Sequence, residues 1–121
     1  MHIRNAASLT GVGSPHGEVV YELIGQAAGG SQRQSLAQIV LPPGKASRKH
    51  YHPVAEESYY ILSGSAEIEL DGQRAALGPG DSIILPAPQV HQPGEPSSGG
   101  EPVNLFAVRR FAGEEIERLV I

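Results

Sequence analysis

The chain has five histidines, and two of them stand one residue apart as His50-Tyr51-His52. Side chains alternate along an extended strand, so both rings project to one face. Two imidazoles on one face make half of a metal site. The acids Glu56 and Glu57 follow Pro53 and head an apolar run, where a carboxylate can swing back toward the rings. A third imidazole, His91, comes after the apolar residues 82–85 and the prolines Pro86 and Pro88, which anchor it. Cysteine is absent, which excludes a disulfide framework, a thiolate metal site and a cysteine nucleophile. Any metal here must be held by histidine or carboxylate.

The elements that carry these residues read as short strands. The chain has 121 residues, 40% hydrophobic and 18% charged, which fits one folded domain over 1–121 with its barrel at about 19–111. Fifteen glycines and ten prolines without a repeat period imply many tight turns. Apolar or alternating runs predict strands at 19–24, 34–41, 57–62, 65–70, 73–77, 82–85 and 103–111, with extended chain at 48–52 and 89–92. In the fourth run Ala66, Ile68 and Leu70 face one way, and Ser65, Glu67 and Glu69 the other. Asp71-Gly72 is a hairpin turn. Residues 11–17 and 93–102 read as loops. In the tail, Ile116, Leu119 and Val120 follow Glu114 and Glu115 with helical spacing, and a final strand is the alternative. Strands at this spacing predict an all-β barrel or jelly roll.

Gly44, His50-Tyr51-His52, Glu57 and Gly64 stand in the spacing Gly, five residues, His-x-His, four residues, Glu, six residues, Gly. Gly80, Pro86-Ala87-Pro88 and His91 stand in the spacing Gly, five residues, Pro-x-x, two residues, His. In these two motifs the chain resembles the cupin superfamily, as a small single-domain member. Two positions depart from the family pattern: Pro88 replaces a glycine, and Glu95 an asparagine. The resemblance implies a double-stranded β-helix, or jelly-roll, barrel. It selects Glu57 over Glu56 and implies that His50, His52, Glu57 and His91 hold one divalent transition metal: Mn, Fe, Ni, Zn or Cu. Three imidazoles and a carboxylate fill four octahedral positions and leave two for water, substrate or oxygen.

Strand parity assigns the neighbouring residues to faces. Arg48 shares parity with the two histidines and is a candidate to grip a substrate carboxylate. Tyr59 shares parity with Glu57 and is a candidate for the pocket wall, binding substrate or taking part in catalysis. Gln38, on an earlier strand, is a candidate to support a ligand or touch substrate. Lys45 and Lys49 read as a solvated rim, Glu56 as solvent-facing, His16 as an exposed loop residue and His2 as part of a frayed end. Gly11-x-Gly13 lacks the surroundings of a phosphate loop.

Apart from Tyr59 and Glu95, no spare inward acid or base is evident. That shortage favours a metal-dependent dioxygenase or oxidase acting on a small polar molecule over an isomerase, epimerase or lyase. A non-catalytic module that binds a sugar or carboxylate is the alternative. A formal net charge of −4 argues against a nucleic-acid partner. No apolar run reaches membrane-spanning length, and a cytoplasmic location is the default expectation. The resemblance also implies a homodimer joined through sheet edges, with 19–24 and 116–121 as the edges that seek partners.

Overall fold

The computed structural model describes residues 1–47, 49–52, 55–94 and 101–110. Among them, β-strands account for nearly all regular structure, apart from one 3-10 turn at Ala6–Ser8 capped by the Asn5 side chain. The strands are β1 (Val12–Gly13), β2 (Val19–Ile24), β3 (Gln34–Leu41), β4 (Glu56–Ser63), β5 (Ala66–Leu70), β6 (Gln73–Leu77), β7 (Ser82–Leu85), β8 (His91–Gly94) and β9 (Val103–Arg110). They form a six-stranded sheet in the order β1-β2-β3-β9-β4-β7 and a three-stranded sheet in the order β6-β5-β8. All pairings between these strands are antiparallel. The architecture is the all-β jelly-roll class that the turn spacing predicts. The tail at 111–121, with its choice between helix and strand, lies outside the described residues.

Alternation decides which side chains fill the space between the sheets. Along β4, Glu57, Tyr59 and Ile61 are buried, and Glu56, Ser58 and Tyr60 are exposed. Along β9, Val103, Leu105 and Ala107 are buried. Leu41 of β3 and Leu85 of β7 join them, with Ala66 and Ile68 of β5 closing from the smaller sheet. Complete burial of a Leu or Ile side chain contributes about 1.5–3 kcal/mol, so this cluster is the main support of the fold.

Several expected boundaries move. The loop at 11–17 contains β1, which pairs with β2 through Val12↔Val20 and Gly13↔Val19. The outer strand of this sheet is therefore β1, and 19–24 is not its edge. The start of the polar loop, Pro93 and Gly94, belongs to β8 instead, because Pro93 pairs with Ile68 and Gly94 with Glu67. His2, expected in a frayed end, has its Nε2 2.9 Å from the Leu23 carbonyl oxygen. No helix among the described residues is long and apolar enough to cross a membrane.

The turn between β4 and β5 demands glycine. Gly64 has φ of +80°, and a Cβ there would collide with the Pro102 carbonyl oxygen and stand 3.0 Å from the Val103 Cα. Gly64→Ala is expected to lower unfolding free energy by about 2 kcal/mol or more, from left-handed strain plus the backbone clash. Urea unfolding followed by circular dichroism checks this, and an unchanged midpoint would contradict it.

Candidate metal centre

The two sheets each bring part of a polar cluster to one place. His50 and His91 are antiparallel partners that exchange both backbone hydrogen bonds, His50 N to His91 O at 3.0 Å and His91 N to His50 O at 2.8 Å. The same edge continues in Ser47 N to Pro93 O. His91 begins β8, opposite Leu70 of the smaller sheet. Glu57 comes from β4 of the larger sheet, between Leu85 and Arg109 in the register. Backbone pairing therefore aims the side chains inward before any ligand is considered.

His50, His52, Glu57 and His91 are all buried, and each offers a donor atom within 4.8 Å of the others. The imidazole centroids are 4.3–5.1 Å apart. Metal–ligand bonds of about 2.0–2.2 Å set donors up to about 4.4 Å apart across an ion, so donors within 4.8 Å of one another are close enough to converge on one ion. The donor set also calls for a partner. His91 is 1% exposed; its Nδ1 has no hydrogen-bond partner, and its Nε2 meets Glu57 Oε1 only at 3.4 Å. A buried nitrogen so weakly paired is costly, and an ion at Nε2 would satisfy it. The four residues are suited to hold a metal ion, and an imidazole-rich set favours a transition metal over calcium or magnesium.

Glu57 supplies the negative charge. Its Oε1 lies 3.3 Å from His52 Nε2 and 3.4 Å from His91 Nε2, and its Oε2 lies 3.5 Å from Arg109 Nε. Burial alone would raise its pKa. Contacts with His52 and His91, and the charges of His52 and Arg109, outweigh that and bring it from 4.5 to about 2. Tyr59, two residues along the same face, is pushed well above 10 by burial and by the neighbouring charge of Glu57, and stays protonated.

A cavity of about 570 Å³ leads away from His50, His52 and Glu57 between the sheets. It exists because the register aligns small residues: Ala37 pairs with Ala107, which pairs with Tyr59, and Ser35 stands beside Arg109. Its walls are largely apolar, with Val20, Ile39, Leu105 and Ala107 among them. Among the groups that interrupt the apolar wall are Glu18, Glu22, Tyr59 and Arg109. The Glu18 Oε2 is buried without a hydrogen-bond partner, and its charge reaches Tyr59. The Glu22 Oε2 accepts from the Ala28 amide at 2.8 Å.

The residues expected from the sequence separate into groups. His50, His52, Glu57 and His91 come together, and Tyr59 lines the cavity beside them. Gln38 does not reach the site: its position faces away, beside Tyr21 and Phe106, and its Nε2 donates to Asn104 Oδ1 at 3.4 Å. Arg48 and Glu95 lie outside the described residues. Lys49 is exposed and pairs with Glu69 at 3.2 Å. His16 and Glu56 are exposed.

The expected shortage of inward acid–base groups is not what the cavity holds. Glu18, Glu22 and Arg109 carry no motif, but parity was available as a signal. Residues 103, 105, 107 and 109 alternate inward together, and so do 18, 20 and 22. With that shortage gone, the reason for preferring an oxygenase goes too.

A family model described as "Cupin domain" matches residues 37–109, more than half of the chain. An uncharacterised protein of Methanocaldococcus jannaschii is 33% identical over 76 residues, which are 63% of this chain and 61% of that protein. The dimethylsulfoniopropionate lyase DddQ of Ruegeria pomeroyi is 42% identical over 74 residues, which are 59% of this chain and 36% of the lyase. The chain thus spans less than two thirds of the length of these curated relatives. Among solved structures, the polyketide cyclase RemF of Streptomyces resistomycificus superposes with a TM-score of 0.77 at 22% identity, covering 100% of this chain and 86% of the cyclase. At that identity the likeness shows the fold.

Replacing His50 and His52 together by alanine is expected to abolish stoichiometric metal binding while the β circular dichroism spectrum persists. Elemental analysis of both proteins checks it, and full metal content in the variant would remove these residues as ligands. In metal-free protein, the lowered pKa of Glu57 means that its stabilising charge is fully present above pH 4.5 and lost as pH falls toward 2. Wild-type stability should fall across that window by up to about 3 kcal/mol more than that of Glu57→Gln. Urea unfolding at a series of pH values measures the difference, and parallel curves for the two proteins would contradict it.

Proposed function

The chain belongs to the Cupin domain family, and from that premise we propose that it is a metal-dependent enzyme. Its substrate is a largely apolar small molecule bearing adjacent oxygens, and its reaction is a proton-transfer rearrangement: elimination, isomerisation or ring closure. The observation that carries this reading is the cavity. It begins at the imidazole–carboxylate cluster, runs along an apolar wall, and carries proton-active groups inside that wall. A purely polar substrate would leave the surfaces of Val20, Ile39 and Leu105 without complementary contact.

A divalent ion held by the four residues supplies a Lewis acid that polarises a carbonyl or enol oxygen. The chain's own residues do the remainder. The Tyr59 hydroxyl, kept protonated beside Glu57 and hydrogen-bonded to it, is placed to turn its proton toward a substrate oxygen. Glu18 presents a carboxylate oxygen with no partner of its own, suited to accept a proton from a carbon next to the polarised carbonyl. The apolar wall packs against the carbon skeleton of the substrate. The relative named as a lyase supports a reaction of this class, and the apolar wall suits a flat carbon skeleton.

The test uses zinc- or nickel-loaded protein in D2O under nitrogen, with a panel of β-diketones and hydroxynaphthoquinones. Deuterium uptake at the carbon next to the carbonyl, read by mass spectrometry, is the expected result. It should fall at least tenfold in Glu18→Gln with metal content unchanged. Turnover only when oxygen is admitted would replace this reading with an oxygenase. Ligand-induced thermal shifts without exchange or turnover would replace it with a binding module. Ala37→Leu, which fills the cavity away from the ligands, is expected to abolish those thermal shifts while metal stoichiometry stays at the wild-type value. Retained shifts would place the substrate elsewhere.

A further inference from the structure

We propose that Arg109 is a positioning residue that fixes Glu57 as a one-oxygen ligand, holding Oε2 so that Oε1 is the oxygen presented to His52 and His91. The inference rests on the metal-binding reading above. Its basis is the division of labour between the two carboxylate oxygens. Oε1 lies 3.3 and 3.4 Å from the Nε2 atoms of His52 and His91, while Oε2 lies 3.5 Å from Arg109 Nε. The terminal torsion of a glutamate is broad and two-fold. Left alone, the carboxylate can exchange its oxygens or offer both to an ion. A guanidinium on one oxygen removes that choice.

The pairing is built into the sheet. Glu57 and Arg109 are direct cross-strand partners on β4 and β9, with their side chains on the same inward face. Cross-strand neighbours on one face stand about 5 Å apart at Cβ, so the arginine reaches the carboxylate from the adjoining strand. On its other flank, β3 supplies only the small, buried Ser35. The side chain of Arg109 is 30% exposed and that of Glu57 is 6%, so the guanidinium also forms part of the cavity wall where substrate would lie.

Charge alone and positioning give opposite signs. Arg109 is a cation close to a site for a cation. If it acted only through its charge, removing it would relieve repulsion and tighten metal binding. If it orients Glu57, removing it frees the carboxylate and weakens metal binding. Partners that orient metal ligands typically contribute about 10–100-fold in affinity.

The experiment titrates the metal-free full chain with Co²⁺ and reads affinity and coordination geometry from visible absorption. Arg109→Met is expected to bind Co²⁺ about tenfold or more weakly, with an altered absorption envelope. Arg109→Lys, which keeps the charge but not the fork, should fall between Arg109→Met and wild type. Arg110→Met, an exposed neighbour on the opposite face, should match wild type and so report the effect of net charge. Equal or tighter binding by Arg109→Met with the wild-type spectrum overturns the proposal. Should Arg109→Met not fold, a wild-type affinity and spectrum in Arg109→Lys overturns it, and a weakened affinity with a shifted spectrum supports it. Failure of the wild-type chain to bind Co²⁺ is a separate outcome: it overturns the metal reading and this inference with it.

Discussion

Glu57 is a carboxylate with 4% of its surface exposed, set among three buried imidazoles. A charge removed from water this far is tolerated only where other groups compensate it. Here the compensation comes from both sheets at once. Arg109 reaches it from the neighbouring strand of the larger sheet, and His91 from the first residue of β8 in the smaller one. The two sheets therefore have to pack in one relative position, or the carboxylate is stranded. The paired backbone of His50 and His91 and the register of β4 against β9 are the parts of the fold that satisfy this requirement.

The same register divides the interior into a filled end and a hollow end. Leu41, Ile61, Val103 and Leu105 are completely buried and interlock with Ile68 from the opposite sheet. One or two rows further along, the inward positions carry Ser35, Ala37 and Ala107. Side chains of that size cannot meet across the space between sheets about 10 Å apart, so a cavity remains. The filled end provides the stability that lets the hollow end exist, since unfilled volume is itself destabilising. The metal-ligand cluster sits at the hollow end: Glu57 shares its row with Arg109 and Ser35, two rows beyond the packed Ile61.

Much of this was legible in the residues. The alternation of β4 and β5, the Asp71-Gly72 hairpin and the glycine at Gly64 each follow from local physics, and the structure has them where local physics puts them. His50, His52 and His91 could be singled out because ligand chemistry restricts residue type, and the resemblance to the cupin motifs chose Glu57 over Glu56. Glu18, Glu22 and Arg109 were missed for the opposite reason. A wall residue needs only to face inward, and facing inward is a property of register. Register depends on which strands are neighbours: Arg109 lies beside Glu57 because β9 enters the sheet between β3 and β4, far from either in sequence. Gln38 was misplaced by the same ignorance, since its parity relative to Ala37 and Ile39 decides which face it occupies. Its partner Asn104, sixty-six residues away, could not be chosen from the sequence.

That asymmetry separates what the barrel determines from what it leaves open. The ligand cluster depends on backbone pairings at fixed places, and changing them would disturb the sheets themselves. The chemistry beyond the metal depends on Glu18, Tyr59 and inward positions of β2, β3 and β9, where a side chain can be exchanged while the strand pairing stays the same. A barrel of this kind can therefore host eliminations, ring closures or oxidations with the same four ligands. In this chain those positions carry a carboxylate oxygen without a partner, a buried phenol, an arginine and a run of small apolar residues. It is this set, more than the metal ligands, that argues for proton chemistry on an apolar substrate.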